Sequence, residues 1–285
     1  MIRSRLLLAL LIIYLVWGST YLGIRIAVAD IPPLTMASFR FLVAGGVMLA
    51  WLKWRGAAWP SLKQTVSAIA VGTLMLVVGN GGVSVAEVSV PSGLTALLLA
   101  VAPLFAVLFA WAFGSPPHKE EWLGVVLGLA GVALLQQDTR LGGSPWAFAL
   151  ILAASLSWSF AAVWQKKLDL PAGAMSAAVQ MSSAGVILFL LGRLRGEPWP
   201  HDVHWHSWAA LAYLIVFGSL IAYNAFVYVL SHARPALASS YAYVNPPVAV
   251  LLGWLLAGEH LSAPMLAGMG VVLAGVVLLA IAHRR

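Results

Sequence analysis

The sequence has very little charge. Only 9% of its 285 residues are Asp, Glu, Lys or Arg, whereas 62% are hydrophobic, and a soluble domain carries about 25% charged residues. So few charged side chains cannot cover the surface of a soluble protein, so lipid must surround much of the chain. Cysteine is absent, which excludes a disulfide framework and a thiolate metal site.

The sequence also lacks the short motifs that carry common chemistry. It has no phosphate-binding GxxxxGK[ST] run, no HExxH and no nucleophile elbow. We therefore expect neither an enzyme nor an ATP-driven motor, and no cofactor or metal. The net charge of +7 would suggest nucleic-acid binding in a soluble protein, but here the basic residues flank apolar segments, so we expect no nucleic-acid partner.

Ten apolar segments are long enough, or nearly so, to cross a bilayer, which takes roughly 20 residues each. They are 6–28, 33–52, 66–86, 91–113, 122–137, 146–164, 174–192, 207–230, 235–257 and 263–282. The fold class predicted is an all-α integral membrane protein with ten transmembrane helices. A cleaved signal peptide is an alternative for the first segment, but its apolar run exceeds the usual length of about 7–15 residues.

Lysine and arginine placement predicts the orientation. With both termini in the cytoplasm, most basic residues fall on the cytoplasmic side and four on the outer side, namely Arg25, Arg140, Arg193 and Arg195. An odd number of spans would put Arg284 and Arg285 outside. The sequence therefore predicts a multi-pass membrane protein with both termini in the cytoplasm. We expect it in the bacterial inner membrane, with the lipid bilayer as a partner, as a monomer or weak homodimer.

The second half of the chain matches the first at an offset of 144 residues. This offset aligns Pro91 with Pro235, Pro103 with Pro247, and Asn80 with Asn224, and an offset of 141 aligns Trp17 with Trp158. Proline and asparagine are uncommon inside spans, so their alignment indicates duplication. Two five-span halves, 1–140 and 141–285, must have opposite orientations, and inverted repeats are the architecture of many secondary transporters.

The sequence resembles the EamA family of the drug/metabolite transporter superfamily over essentially its whole length. The most recognisable stretches are WGSTYLGIR at 17–25, VAEVSVPSG at 85–93 and EHLSAPMLAGMGVVLAG at 259–275. The resemblance implies ten spans, an inverted duplication, cytoplasmic termini, and export of metabolites or amino acids from a cavity formed by spans one, three, four, six, eight and nine. Ser115 stands at the counterpart of Glu259, so we do not expect a pair of functional carboxylates there.

Charged groups inside spans usually face a cavity or a partner. Arg40 could hold a substrate carboxylate, or it could snorkel or pair with Asp30 or Glu87. Glu87 could bind a proton or an amine, or it could be an ordinary carboxylate at a helix end.

Several uncharged residues are candidate ligands of a substrate. Asn80 and Asn224 could bind substrate or pack against each other across the halves, while Asn245 and Pro103 lie where proline frees backbone carbonyls. Aromatic residues at mid-span could line a cavity for cationic or aromatic solutes or could simply pack: Trp17, Trp158, Tyr223, Tyr241 and Tyr243. Ser19 and Thr20 could add hydroxyl groups or bond their own helix.

These features favour a secondary transporter, specifically an exporter of small metabolites, amino acids or drugs that works by alternating access. The alternatives are an integral membrane enzyme or lipid-handling protein, and a membrane scaffold. His201, His204 and His206 could hold a metal weakly, but we expect a solvated loop there.

Overall fold

The computed structural model describes residues 2–114, 144–232 and 241–260, together with isolated residues between 122 and 130 and between 262 and 274. The described part is helical. Its long helices are α1 (Ser4–Ala27), α2 (Pro33–Trp54), α3 (Leu62–Ala86), α4 (Ser92–Ala112), α5 (Pro145–Lys167), α6 (Ala174–Leu194), α7 (Trp205–His232) and α8 (Tyr241–Ala257).

Seven of these helices, α1 to α7, are long and apolar enough to span a membrane, and α8 contains a shorter apolar stretch. They correspond to the first four and the sixth to ninth predicted spans. The predicted spans 122–137 and 263–282 lie mostly outside the described residues, so the count of ten stays a prediction.

The start of α3 differs from the prediction by four residues, at Leu62 rather than 66. Ser61 and Gln64 form a capping box there, in which the Ser61 hydroxyl accepts from the Gln64 N–H at 3.2 Å and the Gln64 side chain accepts from the Ser61 N–H at 3.1 Å. Because a capping box allows a polar first turn, the helix begins before its apolar run.

Three spans contain π-helical stretches near their middles, at Ile13–Trp17 in α1, Thr73–Gly81 in α3 and Leu214–Tyr223 in α7. In α4, the helix is interrupted at Ala100 and Val101, just before Pro103. A π-helical turn holds one more residue than an α-helical turn and is frequent at functional sites. The irregular turns therefore mark one level of the bundle.

The closest helix pair is α2 with α6. Gly45 packs directly on the backbone of Ser182, because a Cβ added at Gly45 would lie 2.5 Å from the Ser182 nitrogen. In the same way, a Cβ at Gly185 would lie 2.6 Å from the nitrogen of Leu42. As residue numbers rise along one helix they fall along the other, so the two helices are antiparallel and in close contact, as small residues allow in membranes.

The remaining neighbours follow a regular scheme. Helix α1 packs against α7 and α8, while α5 packs against α3 and α4, and α4 packs against α8. Under the predicted duplication, each helix from α1 to α4 corresponds to the helix four places later. The contacts of α1 with the second half then correspond to those of α5 with the first half.

One end of the bundle, here called the upper end, carries residues 28–32, 87–91 and 195–204. Two glutamates close it by capping helices from across the bundle. Glu197 accepts from the N–H groups of Leu34 and Thr35 at 3.0 and 2.8 Å, and Glu259 accepts from those of Ser92 and Gly93 at 2.8 and 3.1 Å. Carboxylates at helix N-termini satisfy otherwise unpaired donors and favour the helix dipole.

A third carboxylate at the upper end is Asp30. It accepts from the Ser207 hydroxyl at 2.7 Å and from the His204 backbone and ring at 3.2 Å each. The Ser207 hydrogen bond is the largest cause that lowers the pKa of the Asp30 carboxyl below its ordinary value. Asp30 thus ties the loop after α1 to the start of α7.

The α2–α6 contact predicts a contrast between neighbouring glycines. Gly45→Ala should lower the thermal stability of the detergent-solubilised protein, because overpacking at such a contact costs about 1–3 kcal/mol. Gly46→Ala is the matched control, since a Cβ at Gly46 meets nothing within 4 Å. Thermal unfolding followed by fluorescence measures both, and an unchanged midpoint for Gly45→Ala would contradict the packing described.

Candidate functional site

A cavity lies at the level of the irregular turns, between helices α1 to α5, α7 and α8. The space between the atoms of its wall, including the part that is open to the surroundings, is about 810 Å³. Eight of the twelve residues predicted as substrate-binding line it: Trp17, Thr20, Arg40, Asn80, Trp158, Tyr223, Tyr241 and Asn245. The structure thus brings these eight residues together at one cavity, and their role in binding stays a prediction.

Arg40 is the charged side chain among the residues described as lining the cavity, and it is only 4% exposed. Its Nε donates to the Ser219 hydroxyl at 2.8 Å, and its Nη1 donates to Oδ1 of Asn80 at 3.3 Å. Neither acid predicted as a structural partner forms an ion pair with it, and Asp30 instead binds His204 and Ser207. Its hydrogen-bond partners in the described part of the chain are therefore neutral.

Gly218 makes room for the arginine. A Cβ at this position would lie 2.9 Å from Nη2 of Arg40 and 3.1 Å from the Thr20 methyl group. The same glycine accepts, through its carbonyl oxygen, a hydrogen bond of 3.3 Å from Nε1 of Trp17. Because α7 is π-helical here, Gly218 and Ser219 both contact groups on the cavity wall.

Aromatic rings form another part of the wall. Trp17 meets Trp158 and Tyr241 edge to face, with ring centroids 5.6 and 5.2 Å apart, and it also contacts Phe226 at 4.8 Å. Such edge-to-face pairs fix ring orientation as well as burying area. The side chain of Tyr243, predicted with this group, lies outside the described residues.

Unpaired polar atoms remain at the cavity. Asn245 is 2% exposed, and within the described residues neither its amide nitrogen nor its oxygen has a hydrogen-bond partner. Nε1 of Trp158 is unpaired in the same sense. Tyr21 lies near the Asn245 amide and Tyr241 lies near Trp158, so each group has a tyrosine beside it although neither forms a hydrogen bond of good geometry.

The other four predicted residues lie outside this cavity. Asn224 donates to the carbonyl of Leu220 at 2.8 Å within its own helix, so its surroundings differ from those of its repeat counterpart Asn80. Ser19 bonds Val16 O and the hydroxyl of Tyr213. Pro103 lines a second, smaller cavity of about 340 Å³, which lies towards the end of the bundle where α4, α5 and α7 terminate.

Glu87, the fourth, is fully buried at the end of α3 rather than solvated. Neither carboxylate oxygen has a hydrogen-bond partner within the described residues. The nearby Arg25 donates instead to the backbone carbonyls of Glu87 and Val88, at 2.5 and 2.8 Å. Glu87 therefore lies at a helix end, as one of the two alternatives from the sequence has it, and its carboxylate is buried there.

Sequence reasoning missed several polar contacts near the site. Ser219 was not singled out, since serine is common in this sequence. Gln180 on α6 accepts a hydrogen bond from the hydroxyl of Tyr223 and donates to Ser176 at 2.9 Å. A lone amide in the middle of an apolar segment is a signal that could have identified Gln180.

The histidine-containing loop shows no converging set of metal ligands. His204 binds Asp30, and across the described part of the chain no group of three or more His, Asp or Glu side chains is placed to hold an ion.

The buried Glu87 and the helix-capping Glu197 predict opposite responses to the same substitution. Glu87→Gln should leave the thermal midpoint unchanged or raise it, because an unpaired buried carboxylate is unfavourable and Gln is neutral with nearly the same shape. Glu197→Gln should lower the midpoint, since hydrogen bonds to a charged group contribute about 1.5–3 kcal/mol. Thermal unfolding in detergent compares the two, and a large loss for Glu87→Gln would show that its carboxylate has a stabilising partner.

The chain is similar to two bacterial proteins over nearly its whole length. It is 46% identical over 271 residues to a protein of Escherichia coli (strain K12) named as an uncharacterized inner membrane transporter, YedA, covering 95% of this chain and 89% of the relative. It is 26% identical over 267 residues to Protein PecM of Dickeya dadantii (strain 3937), covering 92% and 88%.

The fold is also similar to that of a solved crystal structure. The match has a TM-score of 0.69 at 19% sequence identity and covers 99% of this chain and 98% of the other. The model of the EamA-like transporter family matches residues 4–136 and again residues 145–281. The chain therefore belongs to the EamA-like transporter family.

Proposed function

We propose that this protein is a secondary transporter that exports small organic molecules by alternating access. The observation that carries the proposal is the central cavity, whose wall is formed by α1 to α4 from the first half and by α5, α7 and α8 from the second. A site shared by two halves can open to one side or the other when the halves move relative to each other.

The helix contacts support an inverted duplication. The α2–α6 and α4–α8 pairs each join corresponding helices, and the contacts of α1 and α5 are exchanged between the halves. Such a scheme is expected from a two-fold axis in the membrane plane. The two successive matches to one family model support the same reading.

In this conformation of the helix bundle, contacts between the two halves close the upper end. Glu197 and Glu259 from the second half bind helix N-termini of the first half, and Ser207 binds Asp30. The second cavity, at Pro103, extends towards the opposite end. In the proposed cycle, the contacts at the upper end break when the cavity opens to the outside.

We further propose that the upper end faces the outside of the inner membrane and that both termini are cytoplasmic. The distribution of Lys and Arg supports this orientation. We also propose that the protein functions as a monomer or a weak homodimer.

Transport through this cavity predicts a difference between two repeat-related asparagines. Asn80→Ala should lower flux about tenfold, because it removes the hydrogen bond to the buried guanidinium of Arg40. Asn224→Ala is the matched control and should keep most of the flux, since Asn224 bonds its own helix. Flux is measured in vesicles containing purified protein with a panel of amino acids, organic acids and cationic drugs.

Equal flux in the two variants would place the transport pathway away from Arg40. Chemical conversion of any solute in the panel would favour the enzyme alternative. Absence of protein-dependent flux across the whole panel would contradict transport.

The topology can be tested by single cysteines, because the natural chain contains none. Ser89→Cys and Asp202→Cys should react with an impermeant maleimide added outside intact spheroplasts, while Lys63→Cys should react only after lysis. All three side chains are exposed in the structure, so solvent access within the protein does not limit labelling. The opposite pattern would invert the proposed orientation.

A further inference from the structure

Arg40 presents an unusual electrostatic arrangement. Fully buried arginines are almost always paired with an acid, because a buried charge without a counter-charge is unfavourable by several kcal/mol. Yet no carboxylate lies within 4.0 Å of this guanidinium in the described part of the chain. Its two hydrogen-bond partners, Ser219 and Asn80, are neutral.

The nearest acid acts only at longer range. Glu87 and Tyr213 interact electrostatically with Arg40, but the Glu87 carboxylate makes no hydrogen bond to it or to any other described group. Glu87 therefore supplies some attraction without filling the contact positions of the guanidinium.

The donors of Arg40 are only partly used. A guanidinium has five N–H groups, and the described residues accept two hydrogen bonds from it, at Nε and Nη1. Nη2 makes none in the described part of the chain, and it packs beside Gly218, where an added Cβ would lie 2.9 Å away. Adjacent free N–H groups on Nη1 and Nη2 form the fork that binds a carboxylate through both oxygens.

We propose that the transported solute is a monocarboxylate with an apolar or aromatic body, and that Arg40 binds its carboxylate. The proposal rests on the proposed function and names the substrate class of that same cavity. The body of the solute would lie against Trp17, Trp158 and Tyr241, and the unpaired amide of Asn245 would bind a further polar group.

The charge of the cavity favours this class over others. Arg40 repels cations, which outweighs the attraction that aromatic faces offer them. A phosphate monoester carries nearly two negative charges, against one cation among the described lining residues and a buried Glu87 nearby. A monocarboxylate carries a single negative charge, which equals the single positive charge of the Arg40 guanidinium.

The first experiment compares ligands on the unmodified protein. Binding of 3-phenylpropionate, 3-phenylpropionamide, 3-phenylpropylamine and phenyl phosphate is followed by tryptophan fluorescence in detergent at neutral pH, since two tryptophans line the cavity. The carboxylate should bind at least about tenfold more tightly than the other three, the difference expected for a charge-assisted fork. Equal or tighter binding of the amide, the amine or the phosphate overturns the proposal.

The second experiment tests the residue. Arg40→Gln should weaken the binding of 3-phenylpropionate at least about tenfold. Arg40→Lys keeps the charge but not the fork, so its affinity should lie between those of the unmodified protein and Arg40→Gln. The double variant Arg40→Gln/Glu87→Gln tests whether Arg40 serves only as a counter-charge to Glu87. Recovery of carboxylate binding in the double variant, or unchanged binding in Arg40→Gln, overturns the assignment.

Flux separates this inference from the proposed function. Vesicle transport of phenylalanine and of phenylalaninamide is measured with the same protein. Transport of the amide as fast as the amino acid would leave the transporter standing and overturn the carboxylate class. Carboxylate-selective binding without any transport of either solute would overturn the transporter and leave Arg40 as an anion site.

Discussion

The close contact between α2 and α6 is the constraint on which the rest of the bundle depends. Gly45 and Gly185 bring the two backbones together at two reciprocal points, with Ser182 and Leu42 as their partners. Lipid offers no hydrophobic force between helices, so packing of this kind must supply the association. Because α2 carries Arg40 and α6 carries Gln180, the same contact also fixes the depth of two buried polar groups.

Arg40 lines the cavity at the level of the irregular turns of α1, α3 and α7. A regular helix presents a fixed stripe of side chains, whereas a π-helical turn inserts a residue and changes which side chains share a face. In α7 this places Gly218, Ser219 and Tyr223 around the cavity. The cavity is thus a consequence of local helix geometry as well as of the gap between helices.

The sequence was sufficient to predict a helical membrane fold and most span boundaries, because long apolar segments separated by breakers mark the helices. It also predicted Arg40 in a polar site, because charge inside apolar segments is rare. It could not separate Asn80 from Asn224, which occupy equivalent repeat positions but bind Arg40 and Leu220 O respectively. That difference depends on the facing helices and on the π-helical turn before Asn224. Ser219 was equally invisible, since nothing in its local sequence distinguishes it.

Three glutamates show how stability and function are divided between regions of this chain. Glu197 and Glu259 each accept several hydrogen bonds at helix N-termini, where a carboxylate stabilises the closed upper end. Glu87 is fully buried without such donors, and Arg40 is buried among neutral dipoles. Unsatisfied charge persists in a fold only where surrounding packing over-determines it. Here that packing is supplied by the α2–α6 contact and the capped helix ends, so Arg40 is held at the cavity wall while Glu87 is held at the upper end of α3, outside the described lining.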